Sequence, residues 1–217
     1  MRLGCKRLWG CEIVVLLWGM GAFGGTRDVG PRAVTVLVFN SANVSRPVLG
    51  KAELDAEQIF RAAGIEIEWL DCSTVQPVEE CRRGPVENQF VLHIVPTGKT
   101  STDSVFGVAF LGENGIGKYC DVFFDRVESE HIQFGTNVSE LLGAVAAHEL
   151  GHLLLGSKSH AHDGLMSAIW REESLHRIGM GTFLFTSEQA VRMKARMSGQ
   201  KAGSSDFVAK SGPGGER

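Results

Sequence analysis

The stretch from Asn137 to Gly156 constrains this chain more than any other. Leu141, Leu142, Val145, Ala146, Leu150, Leu153 and Leu154 leave almost no polar face on an α-helix, and a helix apolar on all sides has to be buried. Asn137 with Glu140 three residues on marks its start, and Gly156 is its natural stop. A chain of 217 residues with 43% apolar composition can enclose such a helix in one domain and has no room for a second of comparable size. The same helix carries His148-Glu149-Leu150-Gly151-His152. Four residues advance a helix by about 400° and about 6 Å, so both imidazoles fall on one face, one turn apart, with a carboxylate beside them.

What precedes the helix reads as a sheet. Ala33 to Phe39 is a continuous β-branched run, the pattern of a strand covered on both faces. Val48 to Ala63 has helical spacing and stops at Gly64, and Ile65 to Leu70 alternates as a strand, so residues 33–70 form a β-α-β unit with a right-handed crossover and parallel pairing. Phe90 to Val95 is a third strand, in which His93 is expected as a packed, hydrogen-bonded core residue. Val105 to Leu111 and Tyr119 to Val127 are two more strands, joined by the Asn-Gly turn at 112–117. Those glycines lack the Gly-Lys-Ser/Thr ending of a phosphate loop and lead into no helix. Thr186 with Gln189 opens a last helix reaching about Met197, and residues 198–217 are a Gly-, Ser- and Lys-rich tail. The expected fold class is α+β with an α/β-like N-terminal part: a twisted, mostly parallel sheet, the histidine-bearing helix and a C-terminal helix.

The N-terminus has a separate purpose. Arg2, Lys6 and Arg7 precede an apolar run from Ile13 to about Phe23, with Ala22 and Gly24 placed for signal-peptidase cleavage, so residues 1–24 read as a signal peptide. The run falls short of the roughly 20 residues of a permanent bilayer span. The domain is then residues 25–197, secreted or otherwise extracytoplasmic. Cleavage removes three basic residues and one acid, taking the formal charge from −3 to −5; no basic stretch offers nucleic acid a footprint. Cys5 and Cys11 leave with the leader. Of the rest, Cys72 and Cys81 flank a polar loop and pair as a disulfide in an oxidising compartment, and Cys120 stays buried in its strand.

Two imidazoles one helical turn apart are half of a catalytic zinc site. Zn²⁺ in such sites takes three protein ligands, keeps one position for water and lowers that water's pKa from 15.7 to about 7. His148 and His152 are the first two ligands, and Glu149 is the general base. Four residues compete for the third position: His160 and His162 in the loop after the helix, Asp163 just beyond, and Glu172. Imidazole matches the ligands already present, and Gly156 lets the chain reverse towards them, which makes His160 the first choice and His162 the next.

At these residues the chain resembles the metzincin clan of zinc peptidases, whose helix carries His-Glu-x-x-His, followed by a glycine, a third histidine and a methionine turn under the metal. His148, Glu149, His152 and Met166 match; Gly156 and His160 match with spacing longer by one and two residues, as in a matrixin- or archaemetzincin-like variant. The clan's usual positions for the glycine and third ligand here hold Leu155 and Lys158. The resemblance implies an exported zinc endopeptidase acting on protein or peptide substrates, with an edge strand bordering the cleft at Val105 to Leu111 or Tyr119 to Val127 and pairing with extended substrate. Glu172 as ligand would make the site gluzincin-like and Asp163 aspzincin-like. A zinc-stabilised peptide-binding protein without catalysis is the alternative from another class.

Overall fold

The computed structural model describes residues 33–97 and 105–199. The segment assigned to a signal peptide, residues 1–24, and residues 200–217 of the expected tail lie outside them.

β1 (Val34–Asn40), α1 (Arg46–Ala62) and β2 (Ile67–Asp71) form the β-α-β unit, with Val34 opposite Ile67 in a parallel pair. On the other side of β1 lies β3 (Gln89–Val95), also parallel, followed by β5 (Tyr119–Phe123). β4 (Gly107–Phe110) closes the sheet as its antiparallel edge, giving the order β2-β1-β3-β5-β4. Alternation sorts the side chains. Val36, Val38, Leu92, Ile94, Cys120 and Val122 enter the main core with the helices, while Leu37 and Val91 pack on the opposite face with Cys72. Cys72 and Cys81 form the disulfide, their Cα atoms 5.5 Å apart, and Cys120 is a buried thiol.

α4 (Val138–Leu155) crosses the core face of the sheet and packs most extensively on α1. By length and composition it could cross a membrane, yet it is 89% buried inside the protein. Asn137 caps it, its Oδ1 accepting from the backbone N–H of Ser139 at 2.9 Å and of Glu140 at 3.5 Å. At the far end Gly156 takes φ 62°, a conformation that suits glycine, and Ser157 N–H donates back to the His152 carbonyl at 3.2 Å. Arg196, from α6 (Ser187–Met197), then donates to the Leu154 carbonyl and to that of Gly115, both at 3.1 Å. A cation at a helix C-terminus also complements the helix dipole.

The structure corrects three expectations. The segment Tyr119 to Val127 is not one strand: β5 ends at Phe123 and α3 (Phe124–Phe134) begins at once, turning Val127 into the core and ending at Gly135 with φ 67°. The polar loop that carries Cys72 and Cys81 contains the short helix α2 (Glu79–Arg83); a further helix, α5 (Glu172–Gly179), where the sequence pattern marks no element, buries Leu175 and Ile178. His93 lies on the sheet face away from α4, its side chain 39% exposed; it bonds Ser41 Oγ at 2.7 Å and stands 3.7 Å from Asp121. It is hydrogen-bonded, as expected, but not in the core.

Where α1 and α4 meet, Gly143 is the point of contact: a Cβ there would lie 2.6 Å from the Ala52 carbonyl oxygen and 3.0 Å from Asp55 Cβ. Gly143→Val therefore separates the two helices and costs about 1–3 kcal/mol. Urea unfolding measures it; a loss under about 0.5 kcal/mol, the range of neutral surface changes, would mean the helices do not touch there.

Candidate metal centre

His148 and His152 share the buried face of α4, 8% and 5% exposed, and the chain beyond the helix returns to them. His148 Nδ1 lies 2.7 Å from the Leu165 carbonyl and His152 Nδ1 2.7 Å from that of Ser157. A carbonyl oxygen only accepts, so both Nδ1 atoms carry the proton and both Nε2 atoms present lone pairs. These Nε2 atoms are 3.1 Å apart. Neither can donate to the other unless a ring is charged, and burial pushes the pKa of His148 down to about 3 and that of His152 below its usual value. Two facing lone pairs repel unless a cation sits between them. Ligands at 2.0–2.1 Å from a tetrahedral Zn²⁺ lie roughly 3.3 Å apart, close to the separation found.

His160 completes the group. One nitrogen from each of His148, His152 and His160 falls in a set lying within 4.8 Å of one another, His160 stacking on His148 and meeting His152 edge-on. A turn at 164–167 holds the returning loop, with Gly164 at φ 77° and Ser167 N–H bonded to the Gly164 carbonyl. Ala161 N–H donates to the Met166 carbonyl at 2.8 Å. Met166 is fully buried under the helix, and a Cβ on Gly151 would lie 2.8 Å from its Sδ. The other candidates stand elsewhere: His162 is exposed, Asp163 pairs with Arg177 at 3.2 Å, and Glu172 is exposed at the start of α5.

Glu149 is 5% exposed beneath the sheet edge, and desolvation raises its carboxyl to about 8. Gly107 on β4 makes the space: a Cβ there would lie 2.8 Å from Glu149 Cγ and 2.9 Å from Oε1. Trp170 stacks on Phe106, meets Phe183 edge-on and sets its ring 5.6 Å from that of His148, holding the imidazole from the solvent side. The sequence reading singled out neither Gly107 nor Trp170, and a glycine interrupting a strand pattern was the signal available for the former. The histidines and Glu149 open into a cavity of about 400 Å³ lined along one side by Val105 to Ala109.

In the metal-free protein the raised Glu149 pKa has a definite consequence. The folded state keeps a proton that the unfolded state loses above about 4.5, so stability contributed by this group falls as pH rises from about 4.5 to 8. Glu149→Gln removes that titration. After chelation, the stability of the variant relative to wild type should rise between pH 6 and pH 8 in urea unfolding, whereas a pH-independent difference would mean the carboxylate is solvated.

No protein-family model and no curated protein matches the chain. Among solved structures, the chain is similar to a zinc-dependent peptidase from Methanocorpusculum labreanum (strain Z), with a TM-score of 0.49 and 15% identity over 73% of this chain and 99% of that one.

Proposed function

We propose that this chain is a zinc-dependent endopeptidase of metzincin type, exported from the cytoplasm, in which His148, His152 and His160 hold the metal and Glu149 is the general base. The observation that carries this reading is the pair of buried Nε2 lone pairs facing each other at 3.1 Å with His160 beside them, next to a buried carboxyl that no cation neutralises among the described residues. Met166 beneath the helix supports the metzincin assignment. The Cys72–Cys81 disulfide supports an oxidising compartment and so export.

A bound zinc ion supplies a Lewis acid that polarises a carbonyl and brings the pKa of water to about 7. The chain's own groups do the rest. The carbonyls of Leu165 and Ser157 keep both imidazoles in the metal-binding tautomer. Glu149 ionises more readily beside a dication than in the metal-free protein, takes a proton from the attacking water and delivers it to the departing amine. Among the described residues β4 is the sheet edge along the cavity, and the backbone groups on its outer side suit an extended peptide laid beside it.

Zinc-loaded protein should cleave an unfolded protein, lose that activity on chelation and regain it with zinc. Glu149→Gln should lower kcat by about 10²–10⁴ while zinc stays bound. Undiminished cleavage by this variant would overturn the mechanism; bound zinc with no cleavage by wild type would leave a zinc-stabilised binding protein. His160→Ala should weaken zinc binding by more than the about 10–100-fold that loss of an outer-sphere partner costs, and His162→Ala should not. Isothermal titration with zinc separates the two, and the reverse ranking would make His162 the ligand.

A further inference from the structure

α4 and β4 run side by side past the histidines and give the cavity two distinguishable ends. Val145 lies about one turn before His148, and Phe106 immediately precedes β4. Towards the other end Gly107 meets Glu149. Beyond it the loop from Leu111 to Gly115 faces Gly156 to Lys158 across a second depression. Apart from Glu149 and the histidines, two ionisable side chains among the described residues line the cavity, Lys158 and Glu130. Lys158 follows the C-terminal end of α4. Glu130 projects from α3, which packs on α4, and lines the same cavity as Val145.

Glu130 is half-buried, and among the described residues its carboxylate has neither an ion pair nor a hydrogen bond. Arg126, one turn earlier on α3, faces Asp125 at 3.9 Å. Desolvation holds the Glu130 carboxyl above its ordinary range with no compensating charge, so a cation placed there would recover what burial costs. The walls leading to it are apolar: Phe106, Val145, Ile169 and Trp170. An aliphatic stem ending in a positive charge matches a greasy passage with a carboxylate beside it.

We infer that the cleft selects peptides with a lysine or arginine side chain beside the bond to be cut, seated against Phe106, Val145 and Trp170 with its cationic end at Glu130. This rests on the peptidase reading above and adds to it the substrate class. Glu130 is a specificity residue and takes no part in the chemistry.

The test uses the zinc-loaded full chain and sets of peptides that differ at one residue next to the scissile bond: lysine, its uncharged counterpart norleucine, or glutamate. Wild type should show kcat/KM about tenfold higher for lysine than for norleucine on one side of the bond only. In Glu130→Gln that ratio should fall towards one, and in Glu130→Lys the glutamate peptide should become the better substrate. Because each ratio is taken within one enzyme preparation, partial loss of folded protein cancels. A wild-type ratio near one, or a ratio unchanged in Glu130→Gln, overturns this inference and leaves the peptidase reading standing. Absence of zinc-dependent cleavage of every peptide overturns both.

Discussion

Two protons fix the arrangement of this site. A buried neutral imidazole must give its N–H to some acceptor, and in His148 and His152 that acceptor is a backbone carbonyl from the chain after the helix, Leu165 and Ser157. Each bond does two things at once. It satisfies a donor that would otherwise be orphaned in the core, and it turns the lone pair of the opposite ring nitrogen into the open cavity. The loop from Gly156 to Ser167 is therefore not an ornament between helices, since its carbonyls decide the tautomer of both rings while its own His160 arrives beside them. Without those carbonyls the same two residues would be a pair of indifferent core histidines.

The close approaches that make this possible occur at small residues. Gly151 admits Met166 and Phe185 to the face of α4, Gly143 lets α1 lie against it, and Gly107 leaves room for Glu149 under the sheet edge. Side chains at these positions would hold α4 away from its neighbours and move the imidazoles with it. Core packing and the geometry of the histidine cluster are thus one problem here, because the helix that fills the centre of the domain also carries His148 and His152.

The parts legible in the sequence were those whose signals are local. The uniformly apolar α4 between Asn137 and Gly156, the β-α-β start, the Thr186–Gln189 capping box and the Cys72–Cys81 pair all announce themselves within a few residues, and each stands where that signal puts it. α3 escaped because Phe123, Phe124 and Val127 prolong an apolar run already read as a strand, although Gly135 marks a helical stop. α5 escaped because only Leu175 and Ile178 face inward, too few to make a stripe. Gly107 and Trp170 act through partners far along the chain, Glu149 and His148, which periodicity cannot report. Imidazole chemistry and the stop at Gly156 put His160 ahead of His162, Asp163 and Glu172, but the reach of each depends on how the loop folds on the 164–167 turn, which no local signal reports.

Arg196 ties this centre to the order in which the chain is made. The candidate ligands lie between residues 148 and 160, and their carbonyl acceptors end at Leu165, so the histidine cluster is encoded in one short stretch. The end of α4 is also held by a guanidinium 42 residues after Leu154, which simultaneously grips the β4–β5 loop at Gly115. A growing polypeptide therefore owns its candidate ligands well before it owns the guanidinium that joins the end of their helix to the β4–β5 loop. Premature termination ahead of α6 would yield a chain with every candidate ligand present and the cleft wall unfastened.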